Sequence, residues 1–455
     1  MKKKVSIVLI SIIIVISFFF ISYIIGNEGF KNLKSLLNKD QKQLIKKYIF
    51  PYKFISQQEQ KLTKTKTQLN KWIFELETKE KGADIKIIES YVKLSNNKIL
   101  KKYKLISGFY AGINNKYPGS GYIDFYEDNI FILSSRGVLA FRKNLTDDKE
   151  NFKQIQNNIN NFIGLKQFSK YKWFSLKDLF IHENKIYISY TEEIKENCWN
   201  TSIIYGDINY ENIEFKKLFS SKECIHSNFS SGNNIDKEFN AHQSGGRIFE
   251  FDNNHILFSV GEYRSRFLAQ KKDNINGKII KININTSDYE IISMGHRNPQ
   301  GLYYDKENSF IIEAEHGPKG GDEINLIEID MINGNEILNY GWPIVSAGEH
   351  YRGSKEKYEK YPLYKSHSEH GFIEPLISFV PSIAISEIVK VGQNRYVVSS
   401  MKDKSLYFFE INEQKQIINL KRVEVFERVR DLRINDNQLY LFMEDTASIG
   451  VINLN

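Results

Sequence analysis

The sequence predicts an all-β protein of the β-propeller type, preceded by an N-terminal transmembrane helix and a partly helical membrane-proximal segment. From about residue 96 the chain consists of short β-type runs, for example at 129–134, 255–260, 395–400 and 438–443, and many of the runs alternate apolar with polar or aromatic residues. Clusters rich in Asn, Asp and Gly separate these runs and indicate turns. Aromatic residues form 13% of the 455 residues, with 31 Phe and 26 Tyr, which favours strands.

The N-terminus has the pattern of a membrane anchor. Residues 5–25 carry no charge, and as a helix they would span roughly 30 Å, the thickness of a bilayer core. Lys2, Lys3 and Lys4 precede this run, so we expect the N-terminus in the cytoplasm and the rest beyond the membrane. The sequence favours an uncleaved signal anchor because no small-x-small cleavage site follows, with a cleaved signal peptide as the alternative. Both predict a periplasmic or other extracytoplasmic location.

The chain divides into three parts: an anchor at residues 1–26, a stalk or extension at 27–95, and a propeller domain at 96–455. The middle part is rich in Lys, Gln and Leu, with helical spacing that breaks at Pro51. In the third part no amphipathic helices alternate with the strands, which excludes βαβ units. About 360 residues are too many for one sandwich, and at ~40–50 residues per blade they give seven to nine blades, or six with long insertions. Spacing alone leaves the blade number open.

Charge and cysteine content exclude several classes of protein. The 63 Lys and Arg exceed the 55 Asp and Glu by 8 charges, which are spread thinly, and export further disfavours a nucleic-acid partner. Two cysteines are too few for a disulfide-rich scaffold or a multi-cysteine zinc module. In an oxidising compartment Cys198 and Cys224 are compatible with a disulfide, and two unpaired buried thiols are the alternative.

Two patches contain side chains suited to proton transfer and anion recognition. His242 stands just before a Gly-Gly turn that leads into a strand, where it could accept a proton near neutral pH. Arg297 offers a planar fork of donors suited to a carboxylate, and Asn298 adds a donor and an acceptor. Taken singly, these residues are better interpreted as an ordinary loop histidine and a structural turn.

Two further patches suggest ion binding. Gly317 and Pro318 form a turn whose carbonyls could bind a hard cation such as calcium, whereas zinc at His296 and His316 lacks a third ligand with suitable spacing. Lys402, Arg428 and Arg430 place three cations near strand ends. Arg428 and Arg430 are two positions apart and therefore face the same side of one strand. Without matching carboxylates such cations predict a bound anion, and a solvated strand face is the alternative.

In combination these motifs resemble the glucose/sorbosone dehydrogenase family, which includes aldose sugar dehydrogenases dependent on pyrroloquinoline quinone (PQQ). The resemblance rests on GHRNPQGL at 295–302, EHGPKGGDEINLI at 315–327 and NYGWP at 339–343. HQSGGR at 242–247, MKDKS at 401–405 and ERVRD at 427–431 extend it over about residues 100–455. It implies a six-bladed propeller of four-stranded antiparallel blades.

The resemblance also implies roles for individual residues. His242 matches the family's general base, which takes the proton of the sugar C1 hydroxyl. Gly317 and Pro318 match the positions whose backbone carbonyls hold the active-site calcium.

Five residues match the family's contacts to the cofactor. Arg297 and Asn298 match residues that contact the quinone. Lys402, Arg428 and Arg430 match basic residues that hold its carboxylates and carbonyl oxygens, and PQQ carries three carboxylates. The implied cofactors are PQQ and calcium.

The implied activity is PQQ-dependent oxidation of an aldose at C1 to a lactone by hydride transfer to the quinone. The electrons would pass to an external acceptor, a cytochrome or a membrane quinone. The alternative is a non-catalytic propeller that binds carbohydrate or a protein partner. Two departures motivate it: Trp173 stands near the position of a family glutamine, and Ala241 replaces an acidic residue that some members place before the histidine. The sequence does not identify the sugar or the oligomeric state.

Overall fold

The computed structural model describes residues 51–106, 109, 120–143, 145, 150–170, 174–227, 236–332, 337–351 and 353–454, with isolated positions 16, 17, 41, 44, 47 and 48. The chain forms two compact units, residues 1–70 and 71–455. Helix α1 (Pro51–Lys81) begins at a proline, which is well tolerated in a first helical turn. None of the described helices has the length and apolar character needed to cross a membrane. The predicted anchor at residues 5–25 lies outside the described residues except for positions 16 and 17.

Among the described residues, the strands form six sheets of four or five strands, named here as blades in chain order, and one two-stranded sheet. Strands β1 (Ile87–Lys93) and β2 (Ile99–Leu105) come first and belong to the last blade. Blade 1 contains β3 (Gly121–Tyr126), β4 (Asn129–Ser134), β5 (Leu139–Lys143) and β6 (Lys153–Gln154). Between blades, β7 (Gln156–Asn157) pairs in parallel with β11 (Asn212–Ile213). Blade 2 contains β8 (Leu176–His182), β9 (Lys185–Lys195), β10 (Cys198–Asp207), β12 (Lys216–Phe219) and β13 (Ile225–His226).

Blades 3 to 6 complete the series. Blade 3 contains β14 (Gly245–Asp252), β15 (His255–Val260), β16 (Lys278–Asn283), β17 (Tyr289–Met294) and β21 (Leu338–Asn339). Blade 4 contains β18 (Pro299–Asp305), β19 (Phe310–Glu315), β20 (Asp322–Glu328) and β22 (Ile377–Phe379). Blade 5 contains β23 (Ile385–Gly392), β24 (Arg395–Ser400), β25 (Ser405–Ile411) and β26 (Ile417–Glu424). Blade 6 contains β27 (Val429–Asn435), β28 (Gln438–Met443) and β29 (Ser448–Asn453). Short helices α2 (Leu165–Lys170), α3 (Ile329–Ile332) and α4 (Lys355–Lys360) lie in connections.

The six blades close into a ring. The inner strands contact one another in the order β3, β8, β14, β18, β23 and β27, and β27 contacts β3 again. Blade 6 is completed from the other end of the chain, because β2 pairs with β29 and β1 pairs with β2. This closure removes the open edge that a linear stack of sheets would leave. The predicted six-bladed propeller is therefore confirmed, and β1 lies within the stretch 27–95.

An arginine fills the centre of the ring. Arg247, on β14, lies 2.8 Å from an oxygen of Asp178, 2.8 Å from one of Asp431 and 2.9 Å from one of Glu387. All four residues are buried. The three carboxylates are close enough to hold a metal ion together, but the Arg247 guanidinium already lies among them. These inner-strand charges hold the blades around the axis.

The same carboxylates also bridge neighbouring blades through the backbone. Asp178 of β8 accepts a hydrogen bond from the N–H of Ile248 on β14 (2.8 Å). Asp431 of β27 accepts one from the N–H of Ile123 on β3 (2.9 Å). Arg433 contributes a second guanidinium, 3.2 Å from Asp431. Each carboxylate therefore satisfies both a buried cation and a backbone donor of the next blade.

Cys198 and Cys224 form a disulfide with a Cα–Cα distance of 5.3 Å, which selects one of the two alternatives left open by the sequence. It closes a loop across 26 positions and joins β10 to the segment before β13.

We expect the Cys198→Ser, Cys224→Ser double variant to lose about 3 kcal/mol in free energy of unfolding, because the unfolded chain gains conformational freedom. Urea unfolding of both proteins measures this, and an unchanged midpoint would contradict it.

Candidate active site

The predicted site residues gather at one end of the ring, because of how each blade is connected. In a propeller blade, the residues before the first strand and those between the second and third strands lie at the same end. His242 and Asn298 precede β14 and β18, the inner strands of blades 3 and 4. Gly317 and Pro318 connect β19 to β20, and Lys402 connects β24 to β25. The topology therefore brings together residues that are far apart in sequence.

Glycines allow the backbone around His242 to pack closely. Gly246 has φ +122°, and a Cβ at this position would lie 2.4 Å from Cβ of Lys177. A Cβ on Gly261 would lie 2.3 Å from the Gln243 carbonyl oxygen. Side chains at either position would displace the turn that carries His242. The Gly-Gly signal in the sequence thus has a direct steric explanation.

The His242 side chain is exposed, but it sits in a recess among many protein atoms and positive charges. Its backbone N–H donates to Oδ1 of Asn240 (3.0 Å), which fixes the turn. Its ring lies 6.4 Å from that of His316, centroid to centroid. Burial lowers the pKa of His242 well below that of an ordinary histidine, and His316, Lys177 and the nearby arginines lower it further. The imidazole is therefore neutral at pH 7 and available to accept a proton.

Arg297 and Asn298 tie the His242 turn to blade 4. Asn298 accepts the N–H of Gly245 (3.1 Å) through Oδ1, while its carbonyl accepts the N–H of His316 (3.1 Å). Arg297 donates through Nη1 to the carbonyls of His316 and Gly317, and its guanidinium lies 5.3 Å from the ring centroid of Trp342. Both residues are buried. Contacts with blades 3 and 4 together therefore set the positions of both side chains.

Gly317 and Pro318 lie in a tight connection beside Arg297. A Cβ on Gly317 would lie 1.4 Å from the Gly321 carbonyl oxygen, so only glycine fits. The Gly317 N–H donates to Oδ1 of Asp322 (3.2 Å), and its carbonyl accepts from Arg297. Pro318 is buried and lines a cavity at this end. A metal ion at the Gly317 carbonyl would therefore have a guanidinium as its neighbour.

Arg428 and Arg430 face the same side, as their spacing predicts, but they share a carboxylate that the sequence analysis did not find. Nε of Arg428 lies 3.5 Å, and Nη2 of Arg430 3.0 Å, from Oε2 of the fully buried Glu444. Arg428 also donates to the Met401 carbonyl (3.2 Å). Lys402, which follows Met401 in the chain and is exposed, donates to the Ser382 carbonyl (3.1 Å). The expectation that no carboxylate pairs with these cations was therefore wrong. Glu444 is, however, a single carboxylate that two guanidinium groups share.

The structure adds two residues to the site. Lys177, on β8, is buried and donates to the Ala241 carbonyl (3.3 Å), next to His242. His316, considered above only as a zinc ligand, lies instead between His242 and the arginines. Burial and the charges of Arg297, Arg430 and Arg428 lower the pKa of His316 to about 3. His316 lies in the motif at 315–327, whereas Lys177 has no local sequence signal, and only the ring of blades places both beside His242. Trp173 lies outside the described residues.

This architecture is that of a six-bladed propeller with a polar, cation-rich site at one end and a neutral histidine within it. The model of the glucose/sorbosone dehydrogenase family matches residues 174–452, more than half of the sequence. The chain belongs to the glucose/sorbosone dehydrogenase family, as the resemblance implied.

Individual relatives agree with this assignment. The chain is similar to an aldose sugar dehydrogenase of Escherichia coli, at 25% identity over 293 residues, which cover 59% of this chain and 72% of the relative. Its fold is similar to the crystal structure of the soluble aldose sugar dehydrogenase from Escherichia coli in the apo-form (TM-score 0.57, 19% identity, 81% and 99% of the two chains). It is also similar to the PQQ-bound form of aldose sugar dehydrogenase from Streptomyces coelicolor (TM-score 0.54, 15% identity, 78% and 98%).

Proposed function

We propose that this protein oxidises an aldose at C1 to the lactone, with PQQ as its cofactor. The observation that carries the proposal is a neutral histidine, His242, held among cations that outnumber the carboxylates beside them. Family membership supports a sugar dehydrogenase activity. The PQQ-bound relative from Streptomyces coelicolor supports the choice of cofactor.

The residues present fit a tricarboxylate. Arg428 and Arg430 share Glu444, and Nε of the buried Arg430 has no hydrogen-bond partner within the described part of the chain. Nε2 of the buried His316 is likewise without one. Burying unpaired donors and cations is unfavourable, so an anionic ligand with several acceptor oxygens would stabilise this site. We propose that Arg297, Asn298, Lys402, Arg428 and Arg430 hold PQQ.

In this proposal His242 is the general base. The neutral ring accepts the proton of the C1 hydroxyl as the C1–H bond breaks, so C1 becomes the carbonyl carbon of the lactone. PQQ, when bound, supplies the acceptor for the hydride that leaves C1. Asn240, Gly245 and Asn298 hold the turn that carries His242, so the ring is positioned before the sugar arrives.

In this proposal calcium binds only when PQQ is also bound. The Gly317 carbonyl already contacts the Arg297 guanidinium, and a second cation there would be repelled in the absence of an anion. Carboxylates of a bound cofactor would offset this repulsion and add oxygen ligands to the carbonyls of Gly317 and Pro318. Calcium would then polarise the bound quinone.

We also propose that the domain acts outside the cytoplasm, anchored by residues 5–25, and passes electrons to a cytochrome or membrane quinone. Lys2 to Lys4 before the apolar run support this orientation. The disulfide between Cys198 and Cys224 supports an oxidising compartment. The second candidate function is a non-catalytic propeller that binds carbohydrate or a protein partner, motivated by Ala241 and Trp173.

The experiment that decides between these functions is reconstitution of residues 27–455 with PQQ, calcium or both. We expect PQQ to bind, as followed by its absorbance, and an artificial acceptor to be reduced across a panel of aldoses. Calcium alone should give no heat of binding by calorimetry. Absence of PQQ binding would reject the quinoprotein proposal, and binding without turnover of any aldose would favour the second candidate.

Arg428→Ala should weaken PQQ binding by about tenfold to a hundredfold, because it removes a charge-assisted contact to the cofactor. Titration of PQQ into the variant and the wild type measures the change. Arg395→Ala is the matched control, since Arg395 is exposed at the start of β24. Equal affinities for wild type and Arg428→Ala would remove Arg428 from the proposed set.

The lowered pKa of His242 predicts an unusual acid limit for the reaction. Its folded-state pKa lies below that of a free histidine, about 6.5, so the neutral base persists as the pH falls through that value. We expect kcat/KM to stay level through pH 6.5 and to fall only at lower pH. A decline in kcat/KM centred at or above pH 6.5 would show that the pKa of His242 is not lowered.

A further inference from the structure

A cavity of about 610 Å³ opens beside the site. Arg297, Pro318 and Trp342 of the site line this cavity, and so does Phe239, three residues before His242. The cavity therefore adjoins the proposed cofactor contact Arg297, and the segment that leads to the proposed base passes along it.

Positive charge dominates this cavity. Among the described residues, five cations and one carboxylate line it. Arg297 belongs to the proposed cofactor set, which leaves Lys237, Arg264, Arg266 and Lys357 without an assigned role. A neutral sugar needs no such surplus of cations.

One glutamate pairs with three of these cations. Glu238 lies 2.8 Å from Arg266 and 3.7 Å from Arg264, and it accepts a hydrogen bond from Lys357. The exposed Lys237 makes no ion pair within the described part of the chain. Asp236 lies 2.9 Å from Lys360 and 3.9 Å from Arg266, and the buried Glu262 also acts on Arg266 and Arg297. Asp236, Glu238 and Glu262 are three carboxylates beside six cations, so they do not neutralise the positive charge around the cavity.

The backbone holds Arg264 at this position. Tyr263 and Arg264 have φ +53° and +69°, a left-handed conformation that is unfavourable for residues other than glycine. Hydrogen bonds maintain it: the Tyr263 N–H donates to the Gln243 carbonyl (2.8 Å), and the Asn240 N–H donates to the Tyr263 carbonyl (2.9 Å). The turn that carries His242 thus also orients Arg264, so a group bound at Arg264 would have a defined position relative to the base.

We propose that the substrate is an aldose that carries an anionic group, a carboxylate or a phosphate, which Arg264 and Lys237 bind while the C1 end faces His242. This inference rests on the proposed sugar oxidation and narrows its substrate class. The guanidinium of Arg264 offers two parallel donors, a geometry that matches both groups. Trp342 offers an apolar ring face for the sugar in the same cavity.

The test compares neutral and anionic sugars of the same configuration with the PQQ- and calcium-loaded protein. The pairs are glucose with glucuronate, galactose with galacturonate, and glucose with glucose 6-phosphate. We expect kcat/KM at low salt to be at least about tenfold higher for an anionic member, since the site is built to pair with it. The preference should shrink as sodium chloride is raised. Glucuronate and galacturonate test a carboxylate, and glucose 6-phosphate tests a phosphate, so the same panel shows which anionic group the protein prefers.

Arg264→Gln should reduce the anionic-to-neutral ratio of kcat/KM by about tenfold, and Arg395→Gln should leave that ratio at its wild-type value. Calorimetric titration of glucuronate or glucose 6-phosphate into the protein without PQQ gives a readout independent of turnover, and Arg264→Gln should weaken the binding. Equal or better turnover of the neutral sugars, or an unchanged ratio in Arg264→Gln, would overturn this inference while leaving sugar oxidation intact. No turnover of any sugar would instead reject the proposed function.

Discussion

His242→Ala should lower kcat by about 10²- to 10⁴-fold while PQQ remains bound, because the variant removes the proposed base and none of the proposed cofactor contacts. The ring of His316 lies 6.4 Å from that of His242, so it does not occupy the position of the removed base. The measurement is the initial rate of acceptor reduction at saturating aldose, together with PQQ titration by absorbance.

His255→Ala is the matched control for this variant. His255 begins β15, at the opposite end of the β14–β15 hairpin from His242, and pairs with Asp252 (2.8 Å). It should retain the wild-type kcat. A His242→Ala protein that keeps most of its rate would show that the proton leaves by another route. Loss of PQQ binding in the same variant would instead assign His242 to the cofactor site.

Arg247→Leu should lower the free energy of unfolding by about 3–5 kcal/mol, the largest stability effect we expect from a single substitution. The variant leaves Asp178, Glu387 and Asp431 buried around an apolar side chain, and each would lose a charge partner within 2.9 Å. Those carboxylates also hold neighbouring blades through backbone N–H groups, so the loss should affect the closure of the ring. Urea unfolding measures it.

Two companions keep this prediction testable if the leucine variant does not fold. Arg247→Lys retains one positive charge but not the planar fork, and it should show a smaller loss of stability. Arg395→Leu removes an exposed arginine and should stay within about 0.5 kcal/mol of wild type. A loss below 1 kcal/mol for Arg247→Leu would mean that the central charges contribute little to holding the blades.

Local sequence patterns predicted the long strands well. The runs at 129–134, 255–260, 395–400 and 438–443 coincide with β4, β15, β24 and β28. Each is buried along nearly its whole length, and a short apolar stretch bounded by turn residues is enough to indicate such a strand. The two- and three-residue strands had no comparable signal. β6, β13 and β22 exist because a neighbouring strand supplies the hydrogen bonds.

The residues of the site also divide into those that the sequence predicted and those that it did not. His242, Arg297, Asn298, Gly317 and Pro318 lie in motifs with turn residues at fixed spacings, so they could be proposed from the sequence. Glu444 and Lys177 could not, because their contacts need strands and blades to pack: Glu444 contacts Arg428 and Arg430 across the paired strands of blade 6, and Lys177 of blade 2 contacts the Ala241 carbonyl before blade 3. The spacing of Arg428 and Arg430 predicted that they face the same side but not that Glu444 lies between them and partly neutralises both.

The sequence by itself determined the class of fold, the turns that carry His242 and Gly317, and the family to which the chain belongs, since these depend on short-range patterns and local steric requirements. The tertiary structure alone decided the pairing of Cys198 with Cys224 and the placement of Arg247 among three carboxylates. It also decided the surplus of cations around Arg264. The cysteines are brought together by the pairing of β10 with β13 inside blade 2. The charged groups come from different blades, and the packing between blades sets the distances between them.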